Sequence, residues 1–131
     1  MGQRFVMGVT LSLVSTVLAL SAHAADRARA GLWQGQVTIE GQTVTQTVCM
    51  SQADANAING DAASVRAYVE RVNGPAGCKV KDVQIAGNRV VATTICSGQT
   101  NVNTMTYHGD TMESETSDGV KSTSRWIGPC K

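Results

Sequence analysis

Aromatic side chains are scarce in this chain: Phe5, Trp33, Tyr68, Tyr107 and Trp126 are all that 131 residues contain. Phe5 falls in an apolar head, so four rings are left to fill a core, and burial alone would hold a small domain weakly. Histidine is scarcer still, with only His23 and His108, and there is no C-x-x-C pair. That removes the ligand spacing of the common zinc sites, and no metal or cofactor is expected. The chain has 13 glycines but neither G-x-x-x-x-G-K-[ST] nor G-x-G-x-x-G, so the glycines serve turns and strand breaks instead of a phosphate cradle. A G-x-S-x-G elbow is missing as well, which leaves the many serines without a nucleophile motif.

The first residues carry a short basic head ending at Arg4, then Phe5 to Leu20 without a charge, then Ser21-Ala22-His23-Ala24. The run is short for a bilayer span and closes on an A-x-A pattern, which predicts a signal peptide over 1–24 with cleavage after Ala24 and a periplasmic domain over 25–131. No stable membrane anchor is expected after cleavage. Taking Arg4 from the 11 basic residues leaves 10 against 10 acidic ones. A neutral chain of this kind is not built for nucleic acid, which selects a basic excess. Lys79, Lys81 and Arg89 form a basic group on one hairpin, and a charged ribbon that discourages strand pairing accounts for it.

All four cysteines follow the leader, and an even number in an exported chain predicts two disulfides. The stretch from Cys78 to Cys96 reads as a β-hairpin around Ala86-Gly87-Asn88. Its two cysteines are equidistant from Gly87, so folding at that turn brings them face to face. Cys78 is therefore paired with Cys96, leaving Cys49 with Cys130. On the chain-entropy model the short loop is worth about 3 kcal/mol and the long one about 4.5 kcal/mol.

Along the chain, Asp26-Arg27-Ala28-Arg29 reads as a polar, flexible lead-in. Gly31 to Ile39 alternates, with Trp33, Val37 and Ile39 on one face, and Gln42 to Met50 follows after a Glu40-Gly41 turn with Val44, Val48 and Met50 on one side. Between Ser51 and Asn73 the period changes. Ser51 caps a short helical turn through Ala57, and Asp61 caps a longer helix through Val72 whose Val65, Tyr68, Val69 and Val72 form one stripe. Gly74, taking the left-handed turn, and Pro75 end it. After Cys96 the runs Val102 to His108, Thr111 to Ser117 and Val120 to Ile127 are spaced by turns at roughly ten residues, and Asp118-Gly119 signals a two-residue hairpin. Met105, Tyr107, Met112, Val120 and Trp126 supply the apolar face of these late strands.

The fold class that results is mainly β, an antiparallel meander or partial barrel of about seven short strands with one helical insertion after the second strand. Chemistry is thin in it. His108 beside Gly109-Asp110 is an exposed turn histidine, and Glu113 and Glu115 share one face of an exposed strand as solvated side chains. Trp33 and Trp126 lie near opposite ends of the β region and meet if the Cys49–Cys130 bond draws the ends together. No catalytic residue is assigned.

The Gly31-Leu32-Trp33 start, Cys49 closing the second strand, the Cys78…Gly87-Asn88…Cys96 hairpin and the Arg125-Trp126-Ile127-Gly128-Pro129-Cys130 ending resemble the bacterial domain of unknown function 3617. Members often carry an acid after the tryptophan, where this chain has Gln34, and a proline before the glycine, where it has Ala30. The resemblance implies export in a Gram-negative bacterium and a mostly β fold, and it implies no activity. The expectation is a non-catalytic binding or accessory protein holding a small apolar ligand between helix and sheet. The alternative is an interaction or inhibitor module that engages another envelope protein through a disulfide-held loop or a sheet edge.

Overall fold

The computed structural model describes residues 26–131, so the signal peptide predicted over 1–24 lies outside the described residues. Seven strands form one open antiparallel sheet: β1 (Gly31–Ile39), β2 (Gln42–Met50), β3 (Cys78–Ala86), β4 (Arg89–Cys96), β5 (Gln99–Tyr107), β6 (Thr111–Thr116) and β7 (Lys121–Gly128). Their order is β2-β1-β7-β6-β5-β4-β3. The first hairpin sits at one edge, the chain crosses to the far edge, and a five-strand meander walks back until β7 docks on β1. β2 and β3 remain as edges, so of the two expected forms the meander is present and the barrel is not closed.

The crossing is made by two helices, α1 (Gln52–Ile58) and α2 (Ala62–Asn73). Ser51 accepts from the Asp54 N–H and Asp61 from the Ser64 N–H, so each helix begins at its predicted cap. The end of α2 differs from expectation. Gly74 stays right-handed with φ −55° at the head of a 3₁₀ turn, and the left-handed residue is Gly77 at φ 75°. Pro75 tolerates the first turn of such a helix, where its missing N–H has no partner to lose, so it does not stop the chain there.

The core lies where α1 and α2 cover the sheet. Ala55, Ile58, Val65 and Val69 pack on Val80, Val90, Ala92 and Tyr107. Val72, expected in the stripe, is 52% exposed, so the buried part of the stripe ends at Val69. The supposedly flexible lead-in is anchored. Arg27 is only 5% exposed, and its guanidinium donates from Nε to Ile58 O at 2.9 Å, from Nη1 to Gly87 O at 3.0 Å and from Nη2 to Gly60 O. One side chain thus ties the lead-in, the end of α1 and the β3–β4 turn, and Asn59 adds a reciprocal pair to the Ala28 backbone. Sequence polarity misleads here because arginine can be buried when its forked donors meet carbonyls.

Both disulfides are as expected, Cys78 with Cys96 and Cys49 with Cys130, with Cα separations of 4.2 and 5.7 Å. The Asp118-Gly119 turn is one residue longer than expected: Thr116 N–H bonds Val120 O and Gly119 N–H bonds Thr116 O, with Gly119 left-handed at φ 89°. The basic group also separates. Arg89 pairs with Ala86 at the turn, while Lys79 pairs with Ile95 beside the disulfide, because residues of a ribbon are neighbours only when equally far from its turn.

Candidate binding groove

The helices cover the β3–β5 half of one sheet face and leave the half built from β1, β2 and β7 open. Alternation turns Trp33, Gly35 and Val37 of β1 to that face, and the register places Val44, Gln46, Val48 and Met50 of β2 beside them. Ser122 and Ser124 of β7 join from the other side, followed by Met112 of β6 and Tyr107 of β5. The result is a groove of about 240 Å³.

Its floor is made of small residues. Gly35 lies between Gln46 and Ser124 in the ladder, and a Cβ there would stand 3.1 Å from Ser124 Oγ. The walls are apolar, with Val48 and Met50 on one side and Tyr107 and Met112 on the other. Val44 and Val48 are 56% and 55% exposed, the least covered apolar side chains of the sheet. Tyr107 is buried, and among the described residues its hydroxyl donates to Met105 Sδ at 3.7 Å. Burial, then the nearby Tyr68, push its phenol well above the ordinary tyrosine range. The groove therefore presents a neutral ring, while Ser122 Oγ is already engaged with Ser114 Oγ at 2.7 Å.

Trp33 is a buried aromatic residue of the groove lining. Trp33 and Trp126 are direct register partners on β1 and β7, so they meet through the sheet itself, without needing the disulfide. Trp33 Nε1 donates to Arg29 O at 2.8 Å and Trp126 Nε1 to Ala30 O at 3.0 Å. Arg29 lies over the Trp126 ring at 3.5 Å and reaches Asp110 at 2.9 Å. Gly31 allows this closeness: at φ 136°, a Cβ would come within 2.6 Å of Gly128 O. The glycine before Leu32-Trp33 is there so that β7 can close.

The remaining sequence candidates are not gathered at this site. His108 is exposed at the end of β5 with Nε2 3.7 Å from Glu113, and Glu115 meets Lys121 at 3.7 Å on the opposite face. The space between helix and sheet, where a ligand was expected, is filled by Val65, Val69, Val90 and Ala92. The opening lies beside the helices instead. Among the described residues no cluster of three or more metal-ligating side chains occurs.

The family model described as Protein of unknown function (DUF3617) matches residues 28–130. The chain belongs to this family. The matched span starts one residue after the buried Arg27 and ends at Cys130, so it includes both disulfides and every residue of the groove. No curated protein and no solved structure is significantly similar to it. For a DUF3617 chain, then, the groove has to be read from its own residues.

Proposed function

We propose that this protein is exported and works as a non-catalytic binding or accessory protein of the periplasm, taking a small, largely apolar molecule into the groove. The observation that carries this reading is the half-covered sheet face: Val37, Val48, Met50 and Met112 stand around a floor of Gly35 and Ser124 with space for a ligand of modest size. Apolar walls supply affinity, and Gln46 and Ser124 can orient at most a polar end. Export is supported by the two disulfides, which persist in oxidising compartments. Among the described residues no helix is long and apolar enough to cross a membrane.

Native mass spectrometry of the protein purified from its own host tests the reading. A reproducible added mass that disappears in a Ser124→Leu variant is the expected result. A bare mass in the wild type, together with no uptake of apolar fluorescent probes, would overturn it.

A second reading, an interaction module of the cell envelope, is favoured by one observation. The edge strand β2 is exposed from Gln42 to Cys49 and carries no charge. A free edge is a template for an added strand.

A further inference from the structure

The two edges of this sheet are unlike. β3 is guarded: Lys79, Lys81 and Asp82 charge it, its register shifts at Lys81, and α2 sends Arg66 Nη2 to Val80 O at 2.7 Å. Such devices keep a sheet from pairing with strangers. β2 has none of them. It runs for nine residues without charge, proline or register shift against β1.

What fits this edge is written in the strand. Val44-Thr45-Gln46-Thr47-Val48 reads the same in both directions, and an antiparallel neighbour is a strand read in reverse. A second β2 placed about a two-fold axis through Gln46 sets Val44 against Val48, Thr45 against Thr47 and Gln46 against itself. An isologous contact requires this kind of self-complementarity.

The backbone agrees with that register. Glu40 and Gly41 have φ values of 50° and 79°, the conformation of a two-residue hairpin turn, so Ile39 and Gln42 form a hydrogen-bonded pair. Even-numbered residues of β2 then point their N–H and C=O groups at β1, and Thr43, Thr45, Thr47 and Cys49 point theirs outward. The two-fold through Gln46 pairs Thr45 with Thr47 of the second copy and Thr43 with Cys49, outward group to outward group. A slip of one residue would set outward groups against inward ones. A slip of two would keep the hydrogen bonds but break the valine pairs: in one direction both valines meet glutamines, and in the other Val48 meets Gln46 and Val44 meets Met50. In the symmetric register Val44 and Val48 cover each other at the non-hydrogen-bonded positions, where side chains approach most closely.

We infer that this protein forms a two-fold dimer through β2, continuing one sheet across both copies with the two grooves on the same face at either side of the axis. The inference deepens the second reading above by naming the partner as another copy of this chain; it shares Gln46 and Val48 with the groove but does not require a ligand to be bound there.

Sedimentation equilibrium of the processed protein across a wide concentration range is the test. A reversible dimer is expected. Thr45→Lys with Thr47→Lys sets lysine against lysine on both sides of the axis and should weaken it at least about tenfold in low salt. Thr45→Glu with Thr47→Lys sets opposite charges across the same positions and should keep the dimer. Both pairs lie on exposed threonines, and equal melting temperatures would show that folding is unchanged. Gln46→Cys, on the axis, should oxidise to an intermolecular disulfide. A protein that stays monomeric at every concentration, or a dimer indifferent to both charge pairs, overturns the inference. Hydrogen exchange then separates the two failures: fast exchange at Thr43, Thr45 and Thr47 in a monomer removes self-pairing only, and protection there removes the free edge on which the interaction reading rests.

Discussion

Cys78 stands across from Cys96 with Cα atoms 4.2 Å apart, although the Gly87-Asn88 turn on its own would set Cys78 opposite Ser97. Ala86 pairs with Arg89, and each step down the ladder keeps that count until Asp82 meets Thr93. Lys81 is then left over, and Val80 meets Thr94. The bulge absorbs one residue, so Val80 and Val83 turn to the same face although three positions apart.

Deleting Lys81 should therefore be tolerated. The shortened strand keeps every other pairing, and peptide mapping without reduction should still find Cys78 joined to Cys96. Deleting Thr94 from the opposite strand has the contrary effect, moving Cys96 one step out of line. Mapping of that variant should show free thiols or scrambled bonds.

Arg27→Ala should be among the more costly single changes. It strips the donors from the buried Ile58 O and from the partly buried Gly60 O and Gly87 O at once; a buried carbonyl left without a partner costs about 1–3 kcal/mol, and the partly buried ones less because water can reach them. A net loss of about 3 kcal/mol in urea unfolding is expected. Arg27→Lys should recover less than half, since a single ammonium cannot reproduce the fork.

Groove substitutions should separate folding from binding. Val48→Asp places a charge on a side chain that is already half in solvent, so the melting temperature should change little. Uptake of an apolar fluorescent probe should fall at least about tenfold, because the carboxylate must lose water when the groove fills. Equal probe binding by wild type and variant would remove the groove from the functional account.

The pH dependence has two limbs. A hydrogen bond from the Ser64 backbone, then one from its side chain, hold Asp61 below the ordinary aspartate range, and Thr116 does the same for Asp118. A lowered folded pKa gives stability that is present above the unfolded value and lost as pH falls through the folded one, so melting temperature should drop below about pH 4. Asp61→Asn with Asp118→Asn should flatten that limb, because asparagine still caps. Tyr107 works in the other direction. Its raised pKa gives stability that is complete below about pH 10 and lost as pH rises beyond it. Tyr107→Phe should remove that alkaline slope and be nearly neutral at pH 7.

Much of the fold was legible because its signals are local. Ser51 and Asp61 announce the helices, and Glu40-Gly41 and Gly87-Asn88 announce the first and central hairpins. The cysteine pairing came out correctly although the turn is centred between Gly87 and Asn88, since a bulge hid in Val80-Lys81-Asp82-Val83. Two consecutive charges between two inward valines break the alternation, and that was its trace. The groove was half legible. Alternation puts Val48 and Met50 on one side of their strand and Tyr107 and Met112 on the apolar face of theirs, but how far the helices extend over the sheet depends on where β3 docks, which no local pattern states. Arg27 left no signal because its partners are backbone carbonyls distant in sequence.

The placement of β1 sets an order of assembly. Its inner neighbour β7 arrives some ninety positions later in the chain, with Gln34 beside Arg125 and Val37 beside Ser122. A polypeptide that emerges from its amino end forms the first hairpin early, yet that hairpin keeps an open side until the last strand is available, and such distant pairings are slow to close. The groove floor, shared between β1 and β7, is thus incomplete until the last strand is in place. Before β7 docks, half of that floor is missing, so a molecule that needs the whole groove has no site on the first hairpin alone.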